Sequence, residues 1–259
     1  MTRRTETVAS PFPNTRWSLI LAAGNSCAPA ARQALDALCA LYWRPVYCYI
    51  RSREANREDA RDLTQGFFEH LMEKHLFHQA QANLGRFRSY LLGCVTNFLK
   101  NARTHARAQK RGGEWTRINE SIEQAESWLE LAAAERQQPD RVYDWACAIS
   151  VMDQALERLE GEHATAQRQQ VFAALQPYLQ CEDPVPDYAT TAASLKTTEG
   201  TVKVLVHRLR RRYRSLMRSI VAETLSDPLG VDDELRYLGE ALEAGRPTPV
   251  AGAENPVRR

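Results

Sequence analysis

The amino-acid sequence predicts an all-α protein made of two small helical domains joined by a linker, with a helix-turn-helix in the C-terminal domain. The first observation is that apolar residues recur at steps of three and four along most of the chain, as on one face of an α-helix. The second is that no strand-like alternation of useful length appears. The third is a short alanine-rich segment, a brief turn and a long basic segment in residues 187–218, the order typical of a helix-turn-helix.

Length and charge limit the classes of protein that the chain can belong to. It has 259 residues, of which 44% are hydrophobic, so one or two domains with real cores can form. Its formal net charge is +2, too small for binding nucleic acid through bulk charge alone. The charge is patterned instead, because residues 74–113 contain no acid and residues 219–259 carry eight acids against four arginines. These blocks carry more information than the net charge.

The sequence is typical of a cytoplasmic protein. Its six cysteines form no C-x-x-C motif and mostly lie within helical patterns, which indicates reduced, buried thiols. Arg3 and Arg4 precede no apolar run, and no stretch approaches the roughly 18 apolar residues that a membrane span needs. We therefore expect no secretory signal and no contact with a membrane.

Two helices are predicted after an N-terminal segment of residues 1–31. The first starts at Arg32, and Pro45 is expected to kink or restart it because proline lacks an amide donor. The second covers residues 57–76, with an apolar side formed by Ala60, Leu63, Phe67 and Leu71. It has acids in its first turns, where the helix dipole favours negative charge. Composition alone favours helix stabilisation as the role of these acids, and docking of a basic partner is the alternative.

A third helix starts at Phe87, after a loop over residues 77–86, and ends before Gly112. One face is apolar and aromatic, and the other faces are cationic without a single acid. Such a helix suits single-stranded or melting nucleic acid, because cations neutralise phosphates while aromatic rings stack on bases. The aromatic residues are nevertheless spaced as a core stripe, so the cationic side is the functional candidate.

Residues 112–149 are predicted to be a linker with a moderately amphipathic helix over 118–136. A second group of helices starts near Arg141, continues with a helix over 163–180 and reaches the short alanine-rich helix over 187–196. The small side chains of that short helix allow close approach of the helix that follows it.

The last of these helices runs through residues 197–218 and is the main candidate for binding DNA. Its buried stripe consists of Val202, Val206, Leu209, Tyr213, Leu216 and Ile220, and Thr198 is placed to cap its first turn. Lysine, histidine and arginine side chains occupy the remaining faces. A solvated basic face on an ordinary core helix is the alternative interpretation.

Three motifs, taken together, resemble bacterial RNA polymerase sigma factors of the sigma-70 superfamily, in particular the extracytoplasmic-function group. They are E-D-A-R-D-L-T-Q-G-F-F-E-H-L at 58–71, G-R-F-R-S-Y-L-L-G-C-V-T-N-F-L-K-N at 85–101 and D-Y-A-T-T-A-A-S-L-K-T-T-E-G-T-V-K-V-L-V-H-R-L-R-R-R-Y-R at 187–214. The resemblance implies a region 2-like domain over 32–111, the linker over 112–149 and a region 4-like helix-turn-helix domain over 150–218. Residues 219–259 form an acidic extension beyond the usual end.

The resemblance also implies three sets of site residues. Those expected to contact core polymerase are Asp59, Asp62, Leu63, Gln65 and Phe68. Those expected to recognise and melt the minus-ten element are Asn83, Arg86, Arg88, Tyr90, Asn97, Lys100, Arg103 and Arg107. Those expected to recognise the minus-thirty-five element are Thr198, Glu199, Thr201, Lys203, Val204, His207, Arg208 and Arg211.

The partners implied are core RNA polymerase, double-stranded promoter DNA and the melted non-template strand. An anti-sigma factor, or a kinase that phosphorylates Thr64 on the docking face, is a further hypothesis. We expect no catalysis, no cofactor and no metal. Extrusion of a promoter base by the loop over residues 79–85 would require a few kcal/mol of unstacking energy, repaid by a pocket and by phosphate contacts.

The sequence departs from the family pattern at four places. Thr190 stands where relatives often carry an acid, residues 181–187 add a proline-rich loop, and residues 219–259 extend beyond the usual end. Lys196 stands where a glycine commonly makes the turn, and since a non-glycine residue in the left-handed conformation costs about 1 kcal/mol, we expect this turn to be slightly rebuilt. The extension contains leucines and a valine spaced for one more short helix, and we hypothesise that this acidic tail restrains the basic helix.

Two other classes of protein remain open. The first is a stand-alone helix-turn-helix regulator whose residues 32–111 form a sensing or dimerisation bundle. The second is a helical metalloenzyme, suggested by His70, His75 and His78. The latter is disfavoured because the first two histidines point to different helix faces and no E-x-x-H motif is repeated in a second helix.

Overall fold

A computed structural model gives the structure of residues 29–53, 56–73, 86–105, 118–133, 138–180, 185–225 and 227–245. These residues form almost only α-helices, and the one extended pairing among them is an isolated bridge between Arg86 and Leu225. The all-α prediction is confirmed. No helix in these ranges is long and apolar enough to cross a membrane.

The helices follow one another with few intervening residues in the second half of the chain. They are α1 Pro29–Arg51, α2 Arg57–Glu73, α3 Phe87–His105, α4 Ile118–Ala133, α5 Pro139–Gly161, α6 Ala166–Leu175, α7 Pro177–Gln180, α8 Tyr188–Ser194, α9 Glu199–Glu223 and α10 Val231–Ala244, with a 3₁₀ turn at Pro228–Gly230 before α10.

Helix α5 lies at the centre of the fold, because α1, α9 and α10 all pack against it. Its buried side chains include Tyr143 and Leu159, both fully enclosed, and Trp145, whose ring meets Trp128 of α4 edge-on at 6.1 Å. Helix α2 packs on α1 and α3, and α8 packs on α9. The buried apolar residues form one cluster that extends from Ala34 to Leu238.

Much of the predicted linker is packed helix. Helix α4 buries Ile122, Ala125 and Trp128 against α1, and the predicted boundary between residues 149 and 150 falls inside α5. Apolar spacing shows which face of a helix is buried but not which helix covers it. For this reason the sequence could not show that residues 118–149 join the central core. The division into two domains stays a prediction.

The predictions for the first helix and for the extension had different outcomes. Pro45 was expected to kink or restart the first helix, but α1 continues through it as a single element, with Pro45 buried. Proline removes only one backbone hydrogen bond, and the apolar residues on both sides keep this helix packed on α5. The helix predicted within the extension is present as α10, and it packs on both α5 and α9.

Candidate nucleic-acid interface

The turn between α8 and α9 has the geometry of a Schellman C-cap. Helix α8 ends at Ser194, and Lys196 follows with a φ of 51°. The amide of Lys196 donates to Ala193 O at 3.2 Å, and the amide of Thr197 donates to Ala192 O at 2.9 Å. These two bonds define the motif, in which glycine is the usual left-handed residue. Lys196 itself takes the left-handed conformation, so the expectation that this turn is slightly rebuilt is wrong.

Side chains of α8 hold this helix against α7 and α9. Thr191 and Ala192 are 5% exposed, and they pack beneath α9 where Val202 is fully buried. The Thr191 hydroxyl shares a hydrogen bond of 2.8 Å with the Tyr178 hydroxyl, so α7 is joined to α8. The small residues therefore allow the close approach that a helix-turn-helix requires.

Helix α9 is amphipathic along its whole length. Thr198 caps it, since its hydroxyl accepts from the Thr201 amide at 3.2 Å. The buried stripe contains Val202, Val206, Leu209, Leu216 and Ile220. Solvent-facing residues at steps of three and four on the opposite side form what we call the outer face, Val204, His207, Arg208, Arg211, Arg214 and Arg218.

The flanks of the outer face carry arginines that bind the protein itself. Arg210 donates twice to Tyr178 O, at 2.9 and 3.2 Å. Arg212 forms a two-pronged ion pair with Glu162, whose pKa is lowered by these hydrogen bonds. At the distal end, Arg218 pairs with Asp232 of α10. Part of the basic character of α9 is thus used to hold neighbouring helices in place.

The remaining basic side chains of the outer face have no hydrogen-bond or ion-pair partner within the described part of the chain. His207, Arg208, Arg211 and Arg214 are exposed and take part in no hydrogen bond or ion pair there. An open groove of about 450 Å³ runs beside them, lined by His207, Arg210, Arg211, Arg214, Ser215 and Arg218. The side chains without a described partner extend from His207 to Arg214, about 10 Å along the helix. Unpaired arginines along such a length are suited to a polyanion.

The residues expected to recognise the minus-thirty-five element lie together at the solvent-exposed start of α9. Lys203 is 3.9 Å from Glu199 and lies over the Tyr188 ring at 5.4 Å. Val204 is an apolar residue, 49% exposed, among cations. Thr198, Glu199, Thr201, His207, Arg208 and Arg211 are also exposed. All eight are thus accessible, and their role in binding stays a prediction.

The residues expected to recognise the minus-ten element do not share one accessible surface. Asn83 and Arg107 lie outside the described residues, as does the loop over 79–85, and the side chain of Arg103 is also outside them. Asn97 and Lys100 are exposed on α3, and Tyr90 is half-buried. Arg88 is only 6% exposed, which is the main correction to the predicted site in this conformation.

Arg88 is held by groups that the sequence-based interpretation missed. Its Nε donates to Glu234 Oε1 at 2.9 Å, its Nη1 donates to Asp144, and its guanidinium lies 4.4 Å from the Tyr237 ring centroid. Burial alone lowers the pKa of Arg88, but the hydrogen bond and charge of Glu234 and the charge of Asp144 raise it overall. Arg86 joins the same group, with Nη1 at 3.1 Å from Glu234 Oε2.

The signal for Glu234 was present in the sequence. Glu234 follows Val231 by three residues and precedes Leu238 by four, so it lies on the buried stripe of α10, where it is 2% exposed. A carboxylate on an apolar stripe requires a cationic partner. Arg86 and Arg88 could not be identified as those partners from the sequence, because they are more than a hundred residues away from Glu234.

The surface expected to dock core polymerase is only partly exposed. Asp59 and Asp62 are exposed, and Leu63 and Gln65 are half-buried. Phe68 is 6% exposed and packs on Phe67 at 5.3 Å, so it is a core residue here. Thr64 is fully buried and donates to Ala60 O at 2.7 Å. The hypothesis of a kinase acting on an accessible Thr64 is therefore wrong for this conformation.

The cysteines and histidines in the described part of the chain form no further candidate site. Of the cysteines in the described ranges, Cys48 and Cys147 are buried and Cys39 and Cys94 are half-buried, and none of these four is in a disulfide. His75 and His78 lie outside the described residues, so the metalloenzyme alternative stays untested there.

Comparison of the chain with protein-family models, with curated proteins and with solved structures finds no match. The functional interpretation therefore depends on the geometry of α8, α9 and their neighbours, together with the sequence motifs.

Proposed function

We propose that the protein is a promoter-specificity subunit of bacterial RNA polymerase, a sigma factor that binds core enzyme and directs initiation at promoters with minus-thirty-five and minus-ten elements. The observation that carries the proposal is the outer face of α9, which follows the Schellman turn after α8 and presents His207, Arg208, Arg211 and Arg214 without partners among the described residues. A helix of this kind enters the major groove with its N-terminal residues toward the base edges.

The side chains near the start of α9 have the chemistry that base recognition needs. Arg208 can donate two hydrogen bonds to guanine O6 and N7, and exposed Val204 can contact a thymine methyl group. Arg211 and Arg214 lie further along the helix and are suited to phosphates, which give affinity rather than sequence preference. The side chains suited to base recognition therefore lie nearer the start of α9, and those suited to phosphate binding lie further along it.

Two other surfaces support a role at the polymerase. Helix α2 exposes Asp59 and Asp62 in an acidic first half, as the motif at 58–71 implies for a surface that docks on basic helices of core enzyme. Helix α3 carries exposed Asn97 and Lys100 and has no acid along its length. An acidic docking helix beside a cationic helix has no obvious use in a simple repressor.

Capture by core polymerase tests the proposal. Tagged protein should retain purified core enzyme, and Asp59→Lys with Asp62→Lys should abolish capture, since both side chains are exposed and their replacement leaves the core intact. The matched control is Asp140→Lys, an exposed acid in the first turn of a different helix, α5. Equal capture by all three proteins, or none by the wild type, would contradict the proposal.

A stand-alone helix-turn-helix regulator is the second candidate, favoured by one observation. Arg88 is buried by α5 and α10, so the described protein leaves α9 as its clearest free cationic surface. In that case the isolated chain would bind a specific duplex with high affinity and would need no polymerase. Sequence selection of bound duplexes from a random library, with and without core enzyme, separates the two candidates.

A further inference from the structure

Helix α10 contacts both cationic surfaces that the proposed function assigns to DNA. Its first turn contains Asp232, Asp233 and Glu234. Asp232 pairs with Arg218 at the distal end of the outer face of α9, and Glu234 pairs with Arg86 and Arg88 at the start of α3. One helical turn therefore neutralises cations on two separate elements.

The contact at Arg88 is built like a buried structural site rather than a surface ion pair. The side chains of Arg88 and Glu234 are 7% and 3% exposed, and Asp144 and the Tyr237 ring complete the enclosure. The Tyr237 hydroxyl in turn donates to Asp144 at 2.5 Å. A guanidinium in this position cannot reach a phosphate or a base until α10 moves.

Backbone contacts hold the same junction closed. The amide of Phe87 donates to Thr224 O at 3.0 Å, and Arg86 forms the isolated bridge with Leu225. Thr224 and Leu225 follow the end of α9 and precede α10. The start of α3 is thus pinned to the segment that joins the two helices.

The far end of α10 fits tightly against the central helix. Gly245 closes α10, and a Cβ added there would lie 2.2 Å from Trp145 Cδ1, far inside contact distance. Trp145 is 7% exposed and its ring meets the ring of Trp128 edge-on, so the Trp145 ring has little room to move. Gly239, within the same helix, has open space where its Cβ would be.

We propose that α10 is an intramolecular lock: it occupies Arg86, Arg88 and Arg218 in the free protein, and DNA must displace it before these arginines bind phosphate. The inference rests on the proposed DNA-binding function and adds regulation to it. When the closed form dominates, the apparent affinity equals the intrinsic affinity multiplied by the small open fraction. Any change that weakens the docking of α10 therefore strengthens binding, even though it adds no DNA contact.

Two substitutions weaken the lock by different means, and each has a matched control on the same helix. Glu234→Gln removes the charge that binds Arg88 and leaves Asp144 in place, whereas Glu240→Gln removes the same charge from an exposed position. Gly245→Ala forces a methyl group against Trp145 without a change of charge, whereas Gly239→Ala adds a methyl group in open space. Far-ultraviolet circular dichroism and thermal melting verify that each variant is folded.

The experiment measures binding of the full-length chain to a fluorescent mixed-sequence duplex at low salt. Glu234→Gln should bind about tenfold more tightly than wild type, because a charge-assisted hydrogen bond that favours the closed form is lost. Gly245→Ala should bind at least about fivefold more tightly, given the usual penalty of overpacking. Glu240→Gln should show only the small effect of a lost surface charge, and Gly239→Ala should show no gain.

Hydrogen exchange gives a second readout that does not depend on affinity. The Phe87 amide is protected by Thr224 O in the closed form, so peptides containing it should exchange faster when DNA is added and faster in Gly245→Ala without DNA. Unchanged exchange together with wild-type affinity of Glu234→Gln and Gly245→Ala overturns the lock. If neither the wild type nor any variant binds the duplex, the lock is also overturned, whereas the proposed function fails only if the wild type does not capture core polymerase.

Discussion

Two neighbouring arginines on α9 allow a sharp test of how its charges are used. Arg211 is exposed on the outer face and has no partner among the residues that the structure describes, whereas Arg212, one residue later, is paired with Glu162. Substitution of either by alanine removes one positive charge from the same helix at nearly the same height. We expect Arg211→Ala to weaken binding of duplex DNA and Arg212→Ala to leave it almost unchanged.

The magnitude follows from counterion release. Each phosphate neutralised by a protein cation contributes about 0.9 to the slope of log K against log salt concentration. Loss of the Arg211 contact should therefore reduce this slope by about 0.9, and affinity should fall about three- to tenfold at low salt. Neither change should alter folding much, since Arg211 has no partner and surface pairs such as Arg212 with Glu162 contribute little.

Fluorescence anisotropy titrations of the wild type and both variants at several salt concentrations measure the slopes directly. Equal slopes for Arg211→Ala and Arg212→Ala would refute the division of α9 into an outer face and protein-binding flanks. A larger loss with Arg212→Ala would show that the contact to Glu162 opens when DNA binds.

The remaining predictions concern the turn, one ion pair and the thiols. Lys196→Gly should raise the melting temperature by about 1–3 °C because it relieves the left-handed conformation at φ 51°, whereas Lys196→Ala keeps the strain and should give no gain. Since Arg212 lowers the pKa of Glu162, this carboxylate adds a small amount of stability above the unfolded pKa of about 4.3 and loses it as pH falls through the lower folded pKa. Glu162→Gln should therefore melt slightly below wild type at pH 7, and the difference should shrink as the melts are repeated at progressively lower pH. Burial raises the pKa of the Cys48 and Cys147 thiols. Iodoacetamide at pH 8 should therefore leave both unmodified in the native protein and alkylate both after denaturation, as measured by peptide mass spectrometry. Rapid alkylation of the native chain would show that this core opens.

Local features were predictable from the sequence because they depend on neighbours along the chain. The helix predicted over 197–218 and observed as Glu199–Glu223, its cap at Thr198 and the position of the turn at Lys196 follow from spacing and residue type within about ten positions. The buried stripe of α2 was less certain. The sequence suggested that Leu63 shares the face of Ala60 and Phe67, but Thr64 is fully buried and Leu63 only half-buried. The buried face is therefore rotated toward Thr64 and Phe68.

Contacts between distant segments could not be predicted in the same way. Apolar stripes on α1, α5 and α10 each require a partner, and many pairings satisfy that requirement equally well. The pairing of Arg88 with Glu234 joins residues 146 positions apart, and it changes the meaning of the minus-ten prediction because it buries a residue expected to touch DNA. The sequence shows that the extension is acidic, but the residues that the extension contacts are determined by the fold.

Run-off transcription with purified core polymerase decides whether the protein directs initiation at promoters. Fragments of genomic DNA serve as templates, and the 5′ ends of the transcripts are mapped with wild-type protein, with Arg208→Ala and without added protein. We expect transcripts that depend on the protein, start downstream of two shared sequence elements and lose their preference for the upstream element with Arg208→Ala. The same transcripts with and without the protein would contradict this expectation.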